Sequence, residues 1–470
     1  MREFSAASAT PVTEASKGAT QSVTRQPFSR VRESSLALDV VLVSMVALVL
    51  GLIRLGTPSF WVDEAFTARA IDRSLPDLID RQYHVLYYAL GKPWALVAGT
   101  SEWALRFPSV LGTMLACALL VVLAHKLFAG WTALASGLFL AASPFLVKWS
   151  QQARSYTLLL AISLVATLLL LRALERGSRA AWAAYGIAFT ALVVWHPVAG
   201  VLLVPAHVVL LAQRREHVLP HGLLAAVIIC AVAVPWAAVT AIRSTGEGVA
   251  MNWLTAPTPE VVVRTLLDVS GAAGLGIVLA FVGLWVLRRS GRSDSAVWLG
   301  AWAFTPFLLA LLVSTVRPIY LDRYLIVAAP AFALLAGVAV TGVGSRLRLG
   351  IVLAAVVAAS AGLIVWYSSG ESGNWRGEDW RAAVRTVLEK RNQGDAIVVA
   401  PWSAAPAATY YGAEVTDVSR ADSIWVLTWS ETGDDITAAE RRALGFGDHE
   451  LVEKLPFGWR LSAQLWQRQG

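Results

Sequence analysis

Apolar stretches near the length that spans a bilayer core as a helix, about twenty residues, recur along most of this chain. The first runs from about Leu36 to Leu55, and others lie near 107–125, 131–148, 155–171, 180–195, 198–212, 222–242, 268–287, 296–316, 324–343 and 349–368. The pattern predicts a polytopic α-helical membrane protein with about eleven transmembrane helices. Proline and glycine inside several runs are compatible with membrane helices. One stretch is ambiguous. Tyr83 to Ala98 is moderately apolar but holds His84, Lys92 and Pro93, so it reads as a short span or an interfacial helix. After about Tyr367 the pattern changes to short alternations. Asp379 to Gln393 has helical periodicity, Ala396–Val399 and Ile424–Leu427 read as buried strands, Thr437 to Ala443 as a helix and Arg460 to Arg468 as a final strand. Residues 371–470 are therefore expected to form a small C-terminal α/β domain. Residues 1–35, rich in Ser, Thr and Ala, read as a disordered tail.

Composition agrees. The 470 residues are 56% hydrophobic and only 15% charged, with a mean hydropathy of +0.59, below the charge content of a soluble chain. The net charge of +7 does not indicate nucleic acid, because the basic clusters sit between apolar runs, where they orient a membrane protein. Cys117 and Cys230 both lie inside apolar runs and imply neither disulfides nor a metal site.

The basic clusters resolve the ambiguous stretch. With 83–98 interfacial and the N-terminus cytoplasmic, His125-Lys126, Arg172/Arg176/Arg179, Arg214-Arg215, Arg288-Arg289/Arg292 and Arg346/Arg348 all fall on the cytoplasmic side, with Arg25, Arg30 and Arg32 of the tail. Arg317 and Arg323 are the exceptions. The first loop, 56–106, and the domain 371–470 are then extracytoplasmic, flanking a transmembrane domain of 36–368. The outer face collects Asp63-Glu64, His84, Gln151–Tyr156, Trp195-His196-Pro197, the 243–265 loop and Arg317–Tyr324. One reaction suited to this face is sugar transfer from a lipid phosphate. It needs a carboxylate to take the acceptor's proton, cations to stabilise the leaving phosphate and a greasy groove for the lipid.

Asp63, within Phe60-Trp61-Val62-Asp63-Glu64-Ala65, is the candidate base; Arg154, Arg317 and Arg323 are candidate phosphate holders, with Tyr156 and Tyr324 adding hydrogen bonds. Plainer readings stand beside each. The Asp-Glu pair also fits a solvated loop opening a short helix, with Thr57 or Asp63 as its cap. Arg154 and Arg323 are placed to snorkel. His84 and His196 fit satisfied interfacial residues, metal ligands or phosphate partners. Trp195-His196-Pro197 fits a tight turn, and Asp322 beside Arg323 a local surface pair. No two His or carboxylate groups show ligand spacing on one helix, so no dedicated metal site is evident, and a divalent cation stays open.

Phe60–Ala65, Tyr83–Tyr88, Ser101–Ser109, Ser143-Pro144-Phe145 with Trp149–Tyr156, and Asp322-Arg323-Tyr324-Leu325 occur in an order that resembles GT-C class membrane glycosyltransferases, specifically the protein O-mannosyltransferase and aminoarabinose-transferase superfamily. The resemblance covers about residues 36–370. It implies that Asp63 rather than Glu64 is the base, with Glu64 beside it in the catalytic pair, and that the donor is a polyprenyl-phosphate sugar. His84, Gln152, Arg154, Tyr156, His196, Arg317, Arg323 and Tyr324 become the candidates for holding that donor. The chain departs from the family pattern at His84-Val85-Leu86, where many relatives have His-Pro-Pro. It departs again at Gln151-Gln152-Ala153-Arg154, where many have Gln-Glu-Ala-Arg, and at Phe66, where the aminoarabinose transferases carry Arg.

The expectation is an inverting glycosyltransferase of the bacterial plasma membrane. It would move mannose or another cell-wall sugar to a glycan, lipid or protein acceptor outside the cytoplasm. The rivals are a lipid-linked sugar transporter or flippase, which predicts inverted repeats and broken helices near the midplane, and a non-catalytic envelope assembly factor working through its soluble domain.

Overall fold

The computed structural model describes residues 36–468 apart from 82–83, 129, 219–220, 244–253, 369–376, 419–420 and 431–434. The predicted tail 1–35 with Arg25, Arg30 and Arg32, Tyr83 and residues 244–253 of the 243–265 loop lie outside the described residues.

Among the described residues, seven helices are long and apolar enough to cross a bilayer: Glu102–Leu127, Tyr156–Arg176, Gly222–Ile242, Ala272–Arg289, Ser293–Ser314, Asp322–Gly342 and Ser345–Ser368. Leu36–Leu52, Arg179–Trp195 and Pro197–Gln213 are shorter apolar helices. The run expected at 131–148 is not one straight helix. It divides into Trp131–Ala141 and Pro144–Ser150, bent by 59°, where Pro144 has no amide to continue the first helix and starts the second. Every apolar run of the sequence thus lies on one of these helices, as expected where lipid leaves the backbone no other partner than itself.

Asp322–Gly342 is the central helix, with 83% of its apolar window buried. Small residues allow this. A Cβ on Gly337 would fall 2.1 Å from Ser136 Oγ, and one on Gly283 would fall 2.3 Å from Leu335 O, so the backbones approach as small-residue contacts in membranes permit.

The basic connections gather at one end of the bundle. Lys126 pairs with Glu175 at 2.6 Å, Arg292 Nη2 donates to Leu127 O at 2.7 Å, and His125 meets Asp39 at 3.0 Å. The opposite end carries the 56–106 segment, folded as Val62–Asp72, Leu75–Arg81 and Val85–Ala98. Val85–Ala98 has 14 residues and opens with buried Val85, Tyr87 and Tyr88.

The C-terminal residues form a four-stranded sheet of β1 (Ala396–Ala400), β2 (Ser423–Trp429), β3 (His449–Pro456) and β4 (Leu461–Arg468), in the order β1-β2-β4-β3. β1 and β2 are parallel; β4 is antiparallel to both β2 and β3. Alternate residues face opposite ways. Ala396, Val398, Ile424 and Val426 pack with Phe446. Ile397, Val399, Trp425 and Leu427 pack with Trp380 and with Phe60, Val62 and Ala65 of the first loop. One hydrophobic core therefore joins the sheet to the helix that carries Asp63.

Candidate functional site

The two adjacent carboxylates have opposite surroundings. Glu64 is 1% exposed and Arg106 2%. Arg106 Nε donates to Glu64 Oε1 at 2.8 Å and Nη2 to Oε2 at 2.7 Å. The same guanidinium donates to Leu55 O, Pro58 O and Ser59 O at 2.9, 2.9 and 3.0 Å, and Ala153 N donates to Glu64 Oε1 at 2.7 Å. Glu64 is therefore a fully engaged buried anchor that ties the first loop to the 151–155 connection. Both of its oxygens accept from protein donors, which sets it apart from Asp63 within the carboxylate pair.

Asp63 keeps a third of its side chain, 33%, in the open. Its Oδ2 lies 3.6 Å from Arg154 Nη2, while Arg154 Nη1 donates to Asp63 O at 3.1 Å. Neither Thr57 nor Asp63 caps this helix. Trp61 occupies the cap position and makes no side-chain capping bond, and Val62 N donates to Glu378 Oε2 at 3.2 Å. A carboxylate at a helix N-terminus also suits the helix dipole. Nearby, Phe60 N donates to Tyr411 Oη at 2.6 Å, and Tyr411 donates to Glu102 Oε1 at 2.9 Å. The C-terminal domain thus holds the backbone on which Asp63 sits.

Around Asp63 and Arg154 lies a cluster drawn from four distant segments. The His84 and His196 rings are 5.0 Å apart, His196 and Tyr324 4.6 Å, Tyr156 and His196 5.9 Å, and Tyr156 and Tyr324 6.5 Å. Arg154 lies 5.7 Å from the Tyr156 ring centre and Arg323 5.9 Å from that of Tyr324. Asp63, Arg154 and Arg323 all act electrostatically on His84. Burial first, then the Arg154 charge, push His84 down to about 3. Burial also pulls His196 well below the usual histidine value, with His84, Arg154 and Arg323 adding to it. Both rings are neutral at pH 7. His196 does cap its helix, with Nδ1 accepting from Ala199 N at 3.3 Å; its buried Nε2 has no hydrogen-bond partner among the described residues. The turn that the sequence offered at Trp195-His196-Pro197 is therefore a helix cap made by the histidine itself.

Two other candidates stand apart. Gln152 is buried, and its Nε2 donates to Lys148 O at 3.1 Å. Arg317 Nη1 donates to Ala241 O at 3.1 Å. Asp322 reaches beyond its sequence neighbour Arg323. Its Oδ2 pairs with Lys148 at 2.9 Å, and its Oδ1 accepts from the Arg323 backbone N at 2.8 Å. Lys148 was detectable, because a lysine closing an apolar run is costly without a purpose. Tyr87 and Tyr88 were also missed. Burial pushes both phenols up, so they face the Arg154 charge as neutral hydroxyls. Among the described residues, no three His, Cys, Asp or Glu side chains are grouped to hold a metal ion.

Residues 86–238 match the family described as dolichyl-phosphate-mannose-protein mannosyltransferase. No curated protein matches the chain significantly by sequence. Among solved structures, ArnT from Cupriavidus metallidurans bound to undecaprenyl phosphate is similar over 91% of this chain and 97% of its own, at 16% identity and a TM-score of 0.61. Its apo state gives the same identity and TM-score. The Archaeoglobus fulgidus oligosaccharyltransferase tethered with an acceptor peptide is similar over 80% of this chain and 63% of its own, at 12% identity and a TM-score of 0.52. This chain therefore shares the fold of the ArnT structure over 91% of its length.

Proposed function

We propose that this protein is an integral membrane glycosyltransferase that moves a sugar from a polyprenyl-phosphate donor to a cell-envelope glycan, lipid or protein acceptor. The observation that carries the proposal is the division of labour between Asp63 and Glu64. One carboxylate is sealed by Arg106, and the other is left open beside the half-buried Arg154 and neutral hydrogen-bonding rings. Similarity to ArnT with undecaprenyl phosphate supports the donor class.

In this proposal Asp63 takes the proton of the acceptor hydroxyl. The freed oxygen attacks the anomeric carbon, and the bond from that carbon to the phosphate oxygen breaks with its electron pair. The configuration inverts in one displacement. Arg154 and Arg323 stabilise the charge gathering on the departing lipid phosphate, as guanidinium forks do well. Arrival of the donor phosphate would draw Arg154 away from Asp63, which makes the carboxylate a better proton acceptor at the moment of need. His84, His196, Tyr156 and Tyr324 orient sugar and phosphate without adding charge. Mannose, or another cell-wall sugar, is the donor group this proposal takes from the resemblance.

The proposal places eleven helices across the bilayer, with the basic connections in the cytoplasm and the site and sheet domain outside it, in a bacterial plasma membrane. The test incubates purified protein with envelope acceptors and polyprenyl-phosphate sugars labelled in the sugar. Label moving to acceptor with release of polyprenyl phosphate is the expected result. Failure of every donor, together with no binding of undecaprenyl phosphate, counts against it.

A further inference from the structure

Behind the helix that carries Asp63 there is a cavity of about 620 Å³. Its wall on that helix is Ala65, Ala68, Arg69 and Asp72, the one-face spacing of a helix. At about 100° per residue this face points away from Asp63. The C-terminal domain supplies the other wall, with Ala405, Pro406, Tyr410, Ala413 and Val415 as its apolar part. Trp402, 67% exposed, stands at the edge. Arg69, Asp72 and Glu414 are exposed at the mouth, and no ion pair or side-chain hydrogen bond occupies them among the described residues.

We propose that this cavity is a binding subsite for a neutral saccharide, holding a remote unit of a glycan acceptor. Three features select that chemistry. An exposed indole and this wall offer an apolar face of the kind that the C–H side of a sugar ring covers. Two carboxylates and a guanidinium, without ion-pair partners among the described residues, are acceptors and a donor for ring hydroxyls. One cation set against two anions leaves the mouth slightly acidic, which disfavours phosphate or carboxylate ligands. The volume falls within the roughly 300–1,000 Å³ of small-molecule sites. Because the cavity lies across the helix from Asp63, a sugar held there is not the reacting unit. It anchors the chain, and such remote binding lowers KM. The acceptor role rests on the glycosyltransferase proposal; the saccharide binding does not.

The test uses the full-length protein in lipid nanodiscs and neutral tetrasaccharides of mannose, glucose and arabinose, followed by saturation-transfer NMR. At least one tetrasaccharide binds, and Trp402→Ala and Asp72→Asn/Glu414→Gln each weaken it about tenfold, the scale of an interface hot spot. All three side chains are exposed, so melting temperature stays unchanged. Arg154→Ala leaves saccharide binding intact, which separates this cavity from the Asp63 site. The proposal is overturned when no tetrasaccharide binds at millimolar concentration, or when binding survives Trp402→Ala. It is equally overturned when a lysine-rich peptide binds there in place of the saccharides. Absent sugar transfer with saccharide binding retained counts against the glycosyltransferase proposal alone.

Discussion

Glu64→Gln removes one charge from a buried pair and leaves Arg106 in place. Arg106 is 2% exposed, so its cation cannot recover solvent. Breaking a buried ion pair by neutralising one partner costs about 3–5 kcal/mol. The glutamine keeps an oxygen for Ala153 N but presents an amide where Arg106 now finds a carboxylate oxygen. The melting temperature in detergent should therefore fall, by about 3–5 °C for a loss of that size in a chain of 470 residues. Replacing both partners with apolar residues should not restore it. Arg106 also serves the carbonyls of Leu55, Pro58 and Ser59, and each would lose its donor. The assay is a thermal melt of detergent-purified variants beside size-exclusion chromatography, with turnover measured on the folded fraction. A Glu64→Gln protein that melts like the parent yet has lost turnover would refute the reasoning, because Glu64 would then belong to the chemistry.

Arg323→Ala should weaken donor binding or turnover, and Lys should rescue it only in part, since an ammonium lacks the planar fork; unchanged donor affinity and rate in both would make Arg323 a snorkelling residue. His84 has a folded pKa depressed to about 3 from 6.5, so the unfolded chain binds the proton more readily and stability falls as pH drops below 6.5. At pH 5 that is at most about 2 kcal/mol, because the ring keeps some exposure; His84→Gln should flatten the melting-temperature slope between pH 5 and 6.5, and an unchanged slope contradicts this. A reporter fused after Arg215 should read as cytoplasmic and one after Arg468 as external; both on one side would break the eleven-span topology.

The apolar runs were legible because a membrane helix must satisfy its own backbone, so hydropathy alone locates it. The break at Ser143-Pro144 was hidden inside a continuous apolar run, and only the proline marks it. Strand β3, His449–Pro456, was missed because it is an edge strand with most of its residues exposed; it has little apolar alternation to read. The cluster residues were legible through the resemblance and through the cost of charge at a helix end. The roles of Glu64 and Glu378 were not. Glu64 acquires its meaning from Arg106, 42 residues on, and Glu378 caps a helix 316 residues earlier in the chain. Pairings at that separation exist only after the chain has folded. Asp322 shows the same limit, since it pairs with Lys148, 174 residues earlier in the chain.

The central claim is that Asp63 is the base, and Asp63→Asn tests it most directly. The substitution keeps size and most hydrogen bonding but removes the proton-accepting oxygen. Its link to Arg154 is 3.6 Å long and partly exposed, so little stability rides on it. The measurement is the single-turnover rate of sugar transfer, beside donor affinity and melting temperature on the same preparation. The rate should fall by about 10²–10⁴-fold, the contribution typical of a general base, with donor binding and melting temperature close to those of the parent. An Asp63→Asn protein that transfers sugar at near the parental rate would contradict the account.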